Sequence, residues 1–253
     1  MKPRFLYCAV QMAILMQLLL GCTMYGWDGH ARPARVNAAE FYSDKKTIAL
    51  VRAAGKGDIK RIDALVSEGV DVNARGKDGF TPIMGALARL NLAGVKRLLQ
   101  LGANPNVTVI GGDSAISLAA KIDDPRFLQA MLEYSGDANY VNPRTAWSLL
   151  HEATISYRMK SVELLTQHGA NLNVQDRNGE TPLMLASNLN RYVIAYYLLQ
   201  HGADYKLTNN IGKTVVNSIE DFPIDPKSDG YVWKNKVIKY LRDRGVMVNL
   251  KFP

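Results

Sequence analysis

A hydroxyl residue recurs along the chain at a nearly constant interval: Thr81, Ser114, Ser148, Thr181 and Thr214, with separations of 33, 34, 33 and 33 residues. A fixed period of this length constrains the fold more than composition does. It demands one supersecondary unit, repeated and stacked. The unit is clearest at Gln167–Ala186, QHGANLNVQDRNGETPLMLA. There Gly169 can take the left-handed backbone that closes a helix. Asp176, Asn178 and Gly179 carry turn chemistry. Thr181 can cap the next helix through its hydroxyl, and Pro182 suits the first helical position, where its missing N–H is not needed. The closing glycine echoes as Gly69, Gly102, Gly202 and Gly245, while Ser135-Gly136 carries the extra residue behind the single spacing of 34. An asparagine follows it as Asn73, Asn106, Asn139 and Asn173, and again near the end as Asn249.

These units resemble the ankyrin repeat, a turn plus two antiparallel helices with a T-P-L-H-x-A signature. The residues that carry the resemblance are Thr81-Pro82-Ile83-Met84-Gly85-Ala86, Ser148-Leu149-Leu150-His151-Glu152-Ala153 and Thr181-Pro182-Leu183-Met184-Leu185-Ala186. The second-helix pattern stands as Val95–Leu99, Val162–Leu165 and Tyr196–Leu199, followed by Gly102-Ala103-Asn104, Gly169-Ala170-Asn171 and Gly202-Ala203-Asp204. The resemblance implies an all-α ankyrin-repeat solenoid over residues 44–253, with six repeats near 44–76, 77–109, 110–143, 144–176, 177–209 and 210–253. Leu98, Leu99, Leu164, Leu165, Leu198 and Leu199 should fill its core, and Ala86, Ala119, Ala153 and Ala186 should let first helices approach. His151 is the family's structural histidine, bonded within the turn. His168 and His201 precede closing glycines, where an imidazole suits a helix C-terminus. Two units depart from the pattern. Gly111-Gly112-Asp113-Ser114 replaces Gly-x-Thr-Pro in the third, so its finger loop should be looser. In the last, about ten extra residues fall in Glu220–Tyr231, between the two helices.

Ahead of the array, Lys2 and Arg4 precede an apolar run from Phe5 to Leu20. That is the layout of a secretory signal peptide, too short for a membrane-spanning helix. Leu19-Leu20-Gly21-Cys22 resembles a bacterial lipobox, which implies cleavage after residue 21 and lipid on Cys22. Acyl chains on one residue would hold the protein to a membrane. Thr23 stands where Asp would mark inner-membrane retention, so the periplasm and the outer membrane are expected. Residues 22–43, with Gly26, Gly29 and Pro33, read as a flexible tether. The charge of +8 and pI of about 9.4 would by themselves point to an anionic partner. Loss of Lys2 and Arg4 leaves 29 basic against 23 acidic residues, a net charge of +6, and a nucleic-acid partner does not fit that compartment. Cys8 would leave with the signal and Cys22 would carry lipid, so no disulfide or cysteine metal site is expected.

The chain shows no Gly-x-Ser-x-Gly elbow, HExxH or phosphate loop. No catalytic residue, cofactor, metal or small-molecule substrate is therefore assigned, and function must lie in a presented surface. In the ankyrin family, contacts sit on finger-loop tips and the exposed face of first helices. The matching loop positions are Lys77, Asp78 and Phe80; Ile110 and Asp113; Arg144, Thr145 and Trp147; Arg177, Asn178 and Glu180; and Asn210, Ile211 and Lys213. The helix positions include Arg89, Asn91, Lys121, Ser156, Tyr157, Asn188 and Asn190. Phe80 and Trp147 stand out as aromatics at a position expected to be exposed, although Trp147 can equally fold back on its own repeat. An ankyrin array behind a lipobox resembles the periplasmic immunity proteins of type VI secretion phospholipase effectors. That resemblance implies a monomer, or a 1:1 heterodimer with a secreted lipase whose active site or lid it covers. The alternative is an envelope lipoprotein adaptor that docks another periplasmic protein.

Overall fold

Every repeat has a short polar residue just before its first helix: Asp44, Thr81, Ser114, Ser148, Thr181 and Thr214. In the computed structural model, which describes residues 37–221 and 224–250, Asp44 caps α1 (Lys45–Lys56) by accepting from the Thr47 N–H at 2.7 Å. Asp58 caps α2 (Ile59–Ser67) in the same way. After α3 (Pro82–Ala88), whose N-terminal Thr81 makes no side-chain cap bond, Asn91, Ser114 and Asp124 cap α4 (Leu92–Gln100), α5 (Ala115–Ala119) and α6 (Pro125–Glu133). In the second half Ser148 caps α7 (Leu149–Ile155) and Thr181 caps α9 (Pro182–Asn188), while α8 (Met159–Gln167), α10 (Tyr192–Gln200) and α12 (Asp229–Arg242) start without a side-chain cap bond; α11 is Val215–Asp221. The leader, Cys22 and residues 23–36 of the tether lie outside the described residues. Among those described, no helix is long and apolar enough to cross a membrane.

The chain divides into two compact units, one ending at Gly136 and the other beginning at Asp137. In the first, α1 to α6 form three helix pairs. Val95, Leu98 and Leu99 recur at helical spacing on α4 and are buried, while Lys96 and Gln100 on the opposite face are exposed. In the second unit, α7 to α12 form three more pairs, with Leu165, Leu198 and Leu199 in the core. Leu164 is only half-buried. Ala86, Ala119, Ala153 and Ala186 are fully buried, as close packing of first helices requires.

The junction at Gln167–Ala186 forms as its sequence dictates. Gly169 has φ +75°, and the Thr181 hydroxyl accepts from the Met184 N–H at 3.2 Å. Thr81, in the same place one unit earlier, caps nothing; its hydroxyl is buried without a partner. Ser135, and not a glycine, takes the left-handed turn in the third repeat, at φ +65°.

Three expectations need correction. The tether does not extend to residue 43: Ala38–Glu40 form a 3-10 turn, and buried Tyr42 donates its hydroxyl to the Phe80 carbonyl at 2.6 Å. The third finger is not loose. The Val109 N–H donates to the Asp113 carbonyl at 2.9 Å, as Asp176 does to Glu180. Buried Asp113 accepts from Ser117 and from Lys121 below it. Finally, the extra residues of the last repeat do not all form a loop. Part of them lengthens α12 to 14 residues against nine in α10.

His151 sits at the centre of the second unit's turn network. The Ser148 N–H donates to its Nδ1 at 3.2 Å, so Nδ1 is the acceptor and Nε2 carries the proton donated to the Glu180 carbonyl at 2.9 Å. Burial holds its pKa below the ordinary value of 6.5, outweighing the Glu180 carbonyl and the charge of Asp176, which raise it. Protonation thus favours the unfolded chain. The stability involved is present above about pH 6.5 and is lost as pH falls. The thermal midpoint should therefore drop between neutral pH and pH 5, and His151→Gln should flatten that slope. An equal slope in both proteins would remove His151 from the account.

Candidate functional site

The finger loops of the second unit are tied tip to tip through their backbones. The Asn210 N–H donates to the Asn178 carbonyl at 2.9 Å, and its side-chain amide donates to the Arg177 carbonyl at 2.9 Å. One Arg177 nitrogen reaches back to the Pro143 carbonyl at 3.1 Å. These bonds fix the loop backbone and leave Arg144, Arg177, Asn178, Ile211 and Lys213 on the surface. Ile211 is 76% exposed, the most apolar point of this ridge. Lys213 is held toward Asp221 at 2.9 Å, though its side chain stays half in solvent. In the first unit the same backbone link joins the Ile110 N–H to the Asp78 carbonyl at 3.0 Å, with Ile110 72% exposed and Lys77 and Asp78 beside it in solvent.

Several residues assigned to contacts are instead committed to the array. Phe80 is 3% exposed and stacks on Phe41, with ring centroids 4.2 Å apart. Lys121 is drawn to buried Asp113 at 3.3 Å. Trp147 is half-buried and donates from Nε1 to Asp176 at 3.3 Å, so it does fold back on its own unit. Glu180 is half-buried and accepts from Asn188 at 3.0 Å. Burial and the neighbouring Asp176 charge push its carboxyl above the ordinary carboxylate range. Phe80 and Asp113 are thus buried in the array and not at a finger tip, whereas Lys121, Trp147 and Glu180 shape the fingers and keep part of their side chains in solvent.

The end of the first helices carries a second feature of the same unit. Tyr157 is 47% exposed, and the Arg191 guanidinium lies 4.3 Å from its ring centroid, a cation–π pair. Leu189 and Asn190 flank it in solvent. Arg89 is exposed at the corresponding helix end in the first unit. Sequence reasoning missed Arg191 and Leu189. The signal was available, because Arg191 stands one period after Arg158. His168 and His201 each place Nδ1 2.8 Å from the carbonyl four residues back, closing their helices. No group of three or more possible metal ligands occurs among the described residues.

The sequence pattern of the family described as "Ankyrin repeats (3 copies)" matches residues 116–209. Among known proteins, the chain is 31% identical over 150 residues to "Protein PhlB" of Serratia liquefaciens, covering 59% of this chain and 66% of that protein. It is 30% identical over 167 residues to "Putative ankyrin repeat protein YahD" of Escherichia coli (strain K12), covering 64% of this chain and 83% of that one. The "Mitochondrial disaggregase" of Bos taurus is 34% identical over 143 residues, which is 54% of this chain but only 21% of the relative. The chain therefore spans just under two thirds of PhlB and about a fifth of the disaggregase.

Proposed function

The chain belongs to the ankyrin-repeat family, and from that premise we propose that it is a membrane-anchored immunity protein that neutralises a phospholipase delivered by type VI secretion. The coarser part needs no proposal: an ankyrin array is a protein–protein interaction module, working by presented surface. The observation that carries the finer reading is the ridge of finger tips in the second unit. Its backbone is fixed by hydrogen bonds before any partner arrives, so little ordering cost falls on binding. Ile211 stands out from it with cationic Arg177 and Lys213 alongside. Burying an exposed isoleucine contributes roughly 1.5–3 kcal/mol. The mouth of a lipase is apolar by necessity, and an isoleucine on a rigid ridge suits it. Occlusion of that mouth, or of a lid that must open, would stop the enzyme without any chemistry from this chain.

The leader supports the location. Leu19–Cys22 would tether the ridge to the periplasmic face of a membrane, outer rather than inner, where the lipase attacks. Tethering raises the effective concentration at the place of need.

Deleting the gene should make cells sensitive to secreting siblings, and a deletion strain that competes normally would leave the adaptor reading in its place. Ile211→Asp combined with Arg177→Ala should weaken lipase binding by at least about thirtyfold, the scale of a hot-spot loss. Unchanged affinity in titration calorimetry would remove the ridge from the interface. Cys22→Ser should move the protein from membrane to soluble fractions; continued membrane association would refute the lipid anchor.

A further inference from the structure

In the first unit, α1 and α3 lie side by side, and an open cleft of about 300 Å³, counting solvent at its mouth, runs between them. Its floor is apolar: Val51, Gly55 and Gly85. Its rim is cationic: Arg52 and Lys56 from α1, and Arg89 from the end of α3. Among the described residues that line it there is no acidic side chain. The two glycines keep it open. A Cβ on Gly85 would stand 2.5 Å from Val51 Cγ1, and one on Gly55 would stand 3.0 Å from Arg89 Cγ.

Arg52 and Lys56 are four residues apart on one helix face, a like-charge spacing that weakens a helix. Neither has an ion-pair partner among the described residues. Lys56 and Arg89 stand at helix C-termini, where the macrodipole tolerates a cation. Arg52 is a turn further in, so the dipole does not explain it. Convergence of three cations on an apolar floor is the complement of a carboxylate on a short hydrocarbon stem.

We propose that this cleft seats an aspartate or glutamate side chain of the protein partner. The carboxylate meets Arg52, Lys56 and Arg89, and the stem lies on Gly55, Gly85 and Val51. This rests on the reading that the partner is a protein. A free inorganic anion would leave the apolar floor wet. The chain's own stretch ahead of Ala38, which also lines the cleft, has the wrong charge: Asp28 stands against Arg32 and Arg35.

The test is fluorescence anisotropy of a labelled peptide of alternating Glu and Ala with the purified chain at physiological salt. Arg52→Gln with Lys56→Gln should weaken binding about tenfold or more, the scale of charge-assisted contacts. Lys60→Gln with Lys96→Gln removes the same charge from exposed second-helix positions of the same unit, and should change binding less than about twofold. Gly55→Ala leaves the charge intact but crowds Arg89, and should weaken binding several-fold. Equal losses in the two double variants would mean general electrostatics and would overturn the proposal. So would a cleft variant that binds like wild type, displacement of the peptide by inorganic phosphate at the peptide's own Kd, or capture of phosphatidylglycerol vesicles instead of peptide through the same residues. The assay contains neither lipase nor secreting cells, so its failure and failure of the immunity reading are separate results.

Discussion

Gly94→Ala should destabilise the first unit by about 3 kcal/mol or more, at the upper end of what overpacking costs, although alanine is the better helix former. Gly94 is the third residue of α4, and its backbone lies against α1. A Cβ there would fall 2.8 Å from the carbonyl carbon of Ala54 and closer still to its oxygen. No side-chain rotation relieves that, since both partners are backbone, so α1 and α4 must part. Without the clash, alanine in a helix would gain roughly 0.5–1 kcal/mol over glycine. The sign of the change therefore reports the helix approach directly. Urea unfolding gives the value, and a variant as stable as wild type would show that α1 and α4 do not pack at this distance.

Phe80→Ala should remove about 3–5 kcal/mol, the usual range for a buried phenylalanine. Its ring stacks on Phe41 and meets Tyr42 edge-on at 6.4 Å, while its carbonyl takes the Tyr42 hydroxyl. Loss of the ring should loosen 37–43 before the repeats themselves unfold. Chymotrypsin should then cut at Phe41 and Tyr42 much faster than in wild type. Partner affinity per folded molecule should stay as it was, because the ring faces inward. A stable variant with weakened partner binding would restore Phe80 to the interface.

Phe80 also shows where sequence reasoning stops. The period of 33 was legible because its signals are local: a glycine that can turn left-handed, a hydroxyl that can cap, a proline that can start a helix. The helix pairs, the buried alanines and the turn histidine follow from them. The burial of Phe80 was not legible, since Phe41 and Tyr42 lie before the first repeat and have no periodic echo. The third finger misled for the opposite reason. Its letters differ, yet Asp113 rebuilds the turn through Ser117 and Lys121. For the last repeat, spacing revealed the number of extra residues but not that a longer α12 would absorb part of them. The cleft was hidden because Arg52 and Lys56 look like ordinary solvent-facing charges until Gly55 and Gly85 bring the floor up beneath them.

The asparagine after each closing turn joins one repeat to the next within each unit. Asn73 donates its amide to the Gly102 carbonyl at 2.9 Å and accepts the Asn104 N–H at 2.7 Å. Asn106 reaches Ser135, Asn139 reaches Gly169 and Asn171, and Asn173 accepts from Asp204. Each bridge uses a side chain on one side and only backbone on the other. The receiving repeat can thus change its own letters without breaking the joint, as Ser135 in place of a glycine already illustrates. Genes of this kind can duplicate, lose or exchange a repeat and still encode a chain whose joints close. The exposed surface is then free to diverge while the framework is inherited intact.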